Sequence, residues 1–148
     1  MKIKLIYIAA AILLAAAVSI TSVLLLDVAI SVHLKAKEKS VSNDAQAIEF
    51  TIKNNTLRMV YFGAFFQLEK WNADSGTWDI YDDKPDEPKL FDMWLGEALP
   101  LSPKEIYYSL WMYSDHFENG LYRIVQVVSY GKPYGSKDIT LYGEFTIT

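Results

Sequence analysis

Two hydrophobic patterns divide the chain. From Leu5 to Leu26 runs a stretch of 22 residues without a charge, rich in Ala, Leu, Ile and Val, behind the basic start Met1-Lys2-Ile3-Lys4. A helix needs about 20 apolar residues to cross a bilayer core, so this run is long enough to span. Past residue 47 the pattern switches to period two, the spacing of a strand with one buried face. Ile48, Phe50 and Ile52 alternate with Glu49, Thr51 and Lys53, and Asn54-Asn55 supplies a turn. Val60, Phe62, Ala64, Phe66 and Leu68 form a second alternating set, and Thr77 to Tyr81 a short third strand after the polar turn Trp71 to Gly76.

The remainder continues in the same manner. Leu90 to Leu99 is apolar enough for a fourth strand, and Ile106, Tyr108, Leu110 and Met112 share one face of a fifth. Leu121 to Val128 is apolar on both faces, the composition of a central strand. The Gly/Pro-rich stretch Ser129 to Ser136 reads as a hairpin loop before a last strand with Leu141, Gly143, Phe145 and Ile147 on one face. About seven short strands separated by turn signals, with no amphipathic helix, predict an all-β antiparallel sandwich.

The organisation expected from these patterns is a signal-anchor or transmembrane segment over residues 1–34, a polar linker over 35–46 and a β-sandwich over 47–148. A cleaved secretory signal is the competing reading of the first segment, with Ala15-Ala16-Ala17 as its small-residue site. Cleavage there would leave Val18 to Leu26 as an apolar terminus, which favours the uncleaved anchor. Lysines flank the run on both sides, Lys2 and Lys4 before it and Lys35, Lys37 and Lys39 after it, so the charge rule for orientation is nearly balanced. The short basic tail favours a cytoplasmic amino terminus and an extracytoplasmic domain.

Charge and composition narrow the function classes. Residues 40–148 carry 9 Lys and Arg against 16 Asp and Glu, a net charge of −7, which disfavours a nucleic-acid partner. The chain has no cysteine, so a disulfide framework, a thiolate metal site and a thiol nucleophile are excluded.

The ordered set Phe50-Thr51-Ile52-Lys53-Asn54-Asn55-Thr56, Phe66-Gln67-Leu68-Glu69-Lys70-Trp71, Trp78, Leu101-x-Pro103 and Gly120-Leu121-Tyr122-Arg123-Ile124-Val125 resembles one family. It is similar to the bacterial immunoglobulin-like domains of surface and secreted proteins, over about residues 46–148. The family usually has Gly after the proline of the L-x-P turn, where Lys104 stands here. The resemblance implies an immunoglobulin-like sandwich and offers no catalytic residues to carry over. Gly120-x-Tyr122 also has a physical reading: a tyrosine opening the penultimate strand can hydrogen-bond back to the preceding connection and lock the corner. Tyr122 is expected in that structural role, bonded to a backbone group between Tyr113 and Glu118.

Candidate chemistry is sparse. Ser114-Asp115-His116 are adjacent, and neighbouring side chains diverge too far for a nucleophile relay. Asp79, Asp82, Asp83, Asp86 and Glu87 form an acidic loop whose spacing matches no calcium pattern, leaving a solvated loop as the main reading and a weak cation site as the lesser one. Asn54-Asn55-Thr56 fits a glycosylation acceptor and equally a turn. Trp71, Trp94, Trp111, Tyr107, Tyr130 and Tyr134 are the candidate binding aromatics, at turns or on the outward parity of strands; rings that cover sheet edges are the structural alternative. No catalytic residue, cofactor or metal is implied. The reading is a membrane-anchored, non-enzymatic module that binds a protein or supports an envelope assembly. Wall-polymer binding through exposed aromatics is the alternative, and a protease-inhibitor-like sandwich a weaker one. Sugar stacking needs two or three coplanar rings on one face, whereas a protein interface needs a mixed apolar patch.

Overall fold

The structure, a computed structural model, describes residues 32–87, 89, 95–131 and 137–148. The apolar run 5–26, Trp94 and Tyr134 lie outside the described residues. Among the described residues no helix is long and apolar enough to cross a membrane.

The described chain is an all-β sandwich. A three-stranded sheet is ordered β1 (Val32–Ala36), β3 (Ala47–Asn54), β8 (Ser102–Ser109). The larger, seven-stranded sheet follows β2 (Ser40–Val41), β10 (Asp138–Ile147), β9 (Gly120–Tyr130), β4 (Val60–Gly63), β7 (Leu95–Ala98), with β5 (Gln67–Asn72) and β6 (Thr77–Ile80) branching from β9. A short 3-10 helix, Leu110–Met112, follows β8.

Alternation along each strand closes the core between the sheets. Phe50 and Ile52 of β3, Ile106 and Tyr108 of β8, Tyr122 and Ile124 of β9 and Phe145 of β10 are all buried. The rings interlock edge-on: Phe50 meets Tyr108 at 5.5 Å and Phe145 at 6.0 Å, the arrangement in which aromatic pairs attract. Gly143, also on the buried face of β10, leaves room for Phe50 and Leu34; a Cβ there would lie 2.3 Å from the Phe50 ring.

Three expectations need correction. The polar linker 35–46 is in part sheet: β1 pairs with β3 from Val32↔Asn54 to Ala36↔Phe50, burying Val32, Leu34 and Ala36, and β2 runs parallel to β10. The cluster of lysines at 35, 37 and 39 hid an alternation that begins upstream of it. The second alternating set is two strands, because β4 pairs with Val128–Tyr130 of β9 while β5 pairs with Tyr122–Val125. Among the described residues there are ten strands rather than about seven.

Candidate functional site

Among the described residues, the expected binding aromatics stand on separate elements. Trp71 stands on β5 at the outer face of the larger sheet, Tyr107 on the outer face of the smaller sheet, and Trp111 on the 3-10 helix; all three are exposed. Tyr130 is a correction: it is only 2% exposed, because β9 runs through Val128 to Tyr130 and keeps it on the same inward parity as Tyr122. A hydroxyl expected in a wet loop thus belongs to the core.

Tyr122 sits at the start of β9, and its hydroxyl donates to the Glu118 carbonyl at 2.8 Å. Its ring stacks on Phe145 and takes the edges of Tyr81 and Phe117. Burial, reinforced by Tyr81, holds its phenol proton far above the usual tyrosine range. Burial likewise pushes Tyr81 up to about 12, with its bond to Asp83 at 2.5 Å acting in the same direction.

The loop chemistry is internally partnered. The Ser114 hydroxyl lies 2.9 Å from both an Asp83 carboxylate oxygen and the His116 carbonyl, and the His116 ring contacts Asn43 at 3.2 Å. In the acidic loop Asp82 accepts from Lys89, Asp83 from Tyr81, and Asp79 from Asn72 and Thr77. Carboxylates so bonded have fewer lone pairs for a cation, and among the described residues no group of acids or histidines is arranged to hold a metal. Asn54 is wholly buried: its amide nitrogen donates to the carbonyls of Arg58, Ala98 and Leu99, and its oxygen accepts from Thr56. The nitrogen that would carry a glycan is therefore enclosed, and the turn reading holds.

The feature with surface chemistry is the outer face of the larger sheet, which sequence reasoning missed because it is assembled from five strands. Val127 and Leu121 from β9, Tyr142 from β10, Leu95 from β7, and Trp71 and Ile80 from β5 and β6 are exposed on outward parity. Gly63 contributes no side chain, and a hollow of about 420 Å³ opens beside it, lined by Tyr61, Leu95, Val127, Ser129 and Asp138. Arg123 is clamped between the rings of Trp78 at 4.3 Å and Tyr142 at 4.5 Å. Glu69 receives its guanidinium at 2.6 Å. Such stacking is what a planar guanidinium favours over a lysine. The remaining outward charges on these strands, Glu97, Asp138 and Glu144, are acidic. The smaller sheet's outer face, by contrast, alternates Lys35, Lys37, Glu49, Lys53 and Glu105, with Lys37 paired to Glu49.

Two packed, mainly antiparallel sheets with a tyrosine locking the corner before β9 are the anatomy of an immunoglobulin-like module. The chain belongs to the bacterial Ig-like domain family, whose model matches residues 28–146. The match begins well before residue 46, in agreement with a sandwich that includes β1. No curated protein matches the chain.

Proposed function

We propose that the chain is a membrane-anchored, non-enzymatic surface module that engages a protein partner through the outer face of its larger sheet. The observation that carries this reading is the mixed apolar face itself. Solvated sheet faces ordinarily alternate to polar residues, and an apolar patch rimmed by polar groups marks an interaction site. The rim here is acidic at Glu97, Asp138 and Glu144, while Arg123 is neutralised by Glu69. The complementary partner is therefore an apolar protein surface edged with lysine or arginine, and a second copy of this chain would set acid against acid. Wall-polymer stacking draws less support: the Trp71 and Trp78 planes meet at 64°, and among the described rings Tyr107 stands on β8 and Trp111 on the 3-10 helix. The anchor rests on the length and apolarity of residues 5–26.

Photo-crosslinking in cells producing the full chain tests this reading. A photoreactive residue at Val127 should yield adducts with a protein whose captured segment is apolar and basic. The same residue at Glu105, on the other outer face, should yield few. The chain should remain with membranes through carbonate extraction. Adducts of the chain with itself, or adducts from Glu105 in place of Val127, would overturn the assigned face.

A further inference from the structure

We infer that the end of the sandwich where the chain enters β1 rests on an anionic lipid surface, with Leu57, Leu99 and Leu101 entering the headgroup layer. The proposal rests on the membrane-anchored reading above and adds a second contact to it.

The register puts Val32 beside Asn54, and Asn54 beside Ser102, at one end of the strands. Only residues 27–31 separate the apolar run from Val32. Extended chain covers at most about 3.6 Å per residue, so that connection reaches about 20 Å. A spanning segment would keep Val32, at this end of the strands, within that length of chain of the bilayer, and would set no such limit on the other end.

The surface at this end fits such a neighbour. Leu57, Leu99 and Leu101 are 62%, 59% and 68% exposed. Their loops are tied together, since Leu101 N donates to the Thr56 carbonyl and the Asn54 amide holds the carbonyls of Arg58 and Leu99. Leu101 has a φ of 55°, the left-handed region that costs a leucine free energy. A glycine or asparagine would sit there without that cost, and water offers no reason to display a strained leucine.

The charge has the matching sign. Lys53, Arg58, Lys104 and Lys137 are exposed at this end, and residues 53–59 and 98–104 contain no acid. Glu97 and Asp138 follow one residue further in, with Asp138 bonded to Ser129. The opposite end carries Asp82, Asp83, Asp86 and Glu87 with Asp115 and Glu118, the acidic loop being tied to the 3-10 helix region by Asp83 N and by Lys84. A domain acidic as a whole thus presents leucines and bases together at one pole, the pairing by which peripheral surfaces engage anionic membranes.

The chain's lack of cysteine makes the test direct. Full-length protein carrying Asn55→Cys or, at the far end, Asp86→Cys is labelled with an environment-sensitive fluorophore. It is reconstituted into phosphatidylcholine vesicles with or without phosphatidylglycerol and with headgroup-level nitroxide lipid. The Asn55 label should be quenched and blue-shifted in the anionic vesicles and not in the zwitterionic ones, and the Asp86 label in neither. Leu57→Asn with Leu101→Asn, or Lys53→Glu with Arg58→Glu, should each abolish the quenching. If the protein resists carbonate but the Asn55 label stays as aqueous as the Asp86 label, the docking is overturned and the anchor stands. If the protein is lost to carbonate, the anchored reading falls and the proposal with it.

Discussion

Two side chains of this sandwich hold backbone in place at opposite ends of the strands, and each can be removed without touching the other. Tyr122→Phe keeps the ring among Tyr81, Phe117 and Phe145 but frees the Glu118 carbonyl. Glu118 is exposed, so water can reach that carbonyl, and the expected loss is about 0.5–1.5 kcal/mol. Tyr122→Ala removes the ring as well and should cost about 3–5 kcal/mol. Asn54 is the heavier of the two, because no water can replace an amide that serves three carbonyls at once. Asn54→Ala should cost about 2–4 kcal/mol, whereas Asn55→Ala, exposed and one residue away, should stay within about 0.5 kcal/mol. Urea unfolding of the four variants checks the order; equal losses at positions 54 and 55 would remove the clamp.

At the scale of elements, β1 is the informative strand. It buries Val32, Leu34 and Ala36 against a core in which Gly143 has made room for Phe50 and Leu34. A fragment of residues 40–148 loses that strand and exposes its place beside β3; at about 1.5–3 kcal/mol per large apolar side chain, losing Val32 and Leu34 removes about 3–6 kcal/mol. That is a large fraction of the roughly 5–15 kcal/mol by which a domain is stable, so fragment 32–148 should fold and 40–148 should unfold at much lower urea, read by tryptophan fluorescence. Gly143→Ala, which drives a methyl into the Phe50 ring, should cost about 1–3 kcal/mol in fragment 32–148. Most strand positions were legible as period two, and Val32-His33-Leu34-Lys35-Ala36 carries the same signal. It was obscured because the residues before it are apolar and those after it are lysine-rich, so five alternating positions were divided between an anchor and a tether. Alternation also left the β4–β5 break illegible: Phe62 and Phe66 keep one parity across it, and only the pairing partner on β9 changes. The outer face of the larger sheet could not be read for a related reason, since parity assigns a residue to a face but not to its neighbours on other strands.

For the whole molecule, the tyrosines make folding stability depend on alkaline pH. The hydroxyls of Tyr108, Tyr113 and Tyr122 bond to Gln126, the Phe66 carbonyl and the Glu118 carbonyl, and burial raises all three phenols well above the ordinary value near 10. Tyr81 is raised to about 12 by burial and its bond to Asp83. An unfolded chain ionises these groups near pH 10, whereas the folded chain keeps their protons. Between those limits the unfolded state binds fewer protons, so what these tyrosines contribute to the stability of fragment 32–148 is constant below about pH 10 and is lost as pH rises through the raised values. Tyr81→Phe removes one of the four and should make the decline between about pH 10 and 12 shallower, while leaving the acid side of the profile unchanged. Tyr107 gives the internal control, because its exposed hydroxyl is raised chiefly by the charge of Glu49, and salt should reduce that effect. Urea midpoints across pH 8 to 12 for the parent fragment, Tyr81→Phe and Tyr107→Phe make the comparison. A decline that Tyr107→Phe relieves as much as Tyr81→Phe does would mean that surface charge, and not burial in the core, drives alkaline unfolding.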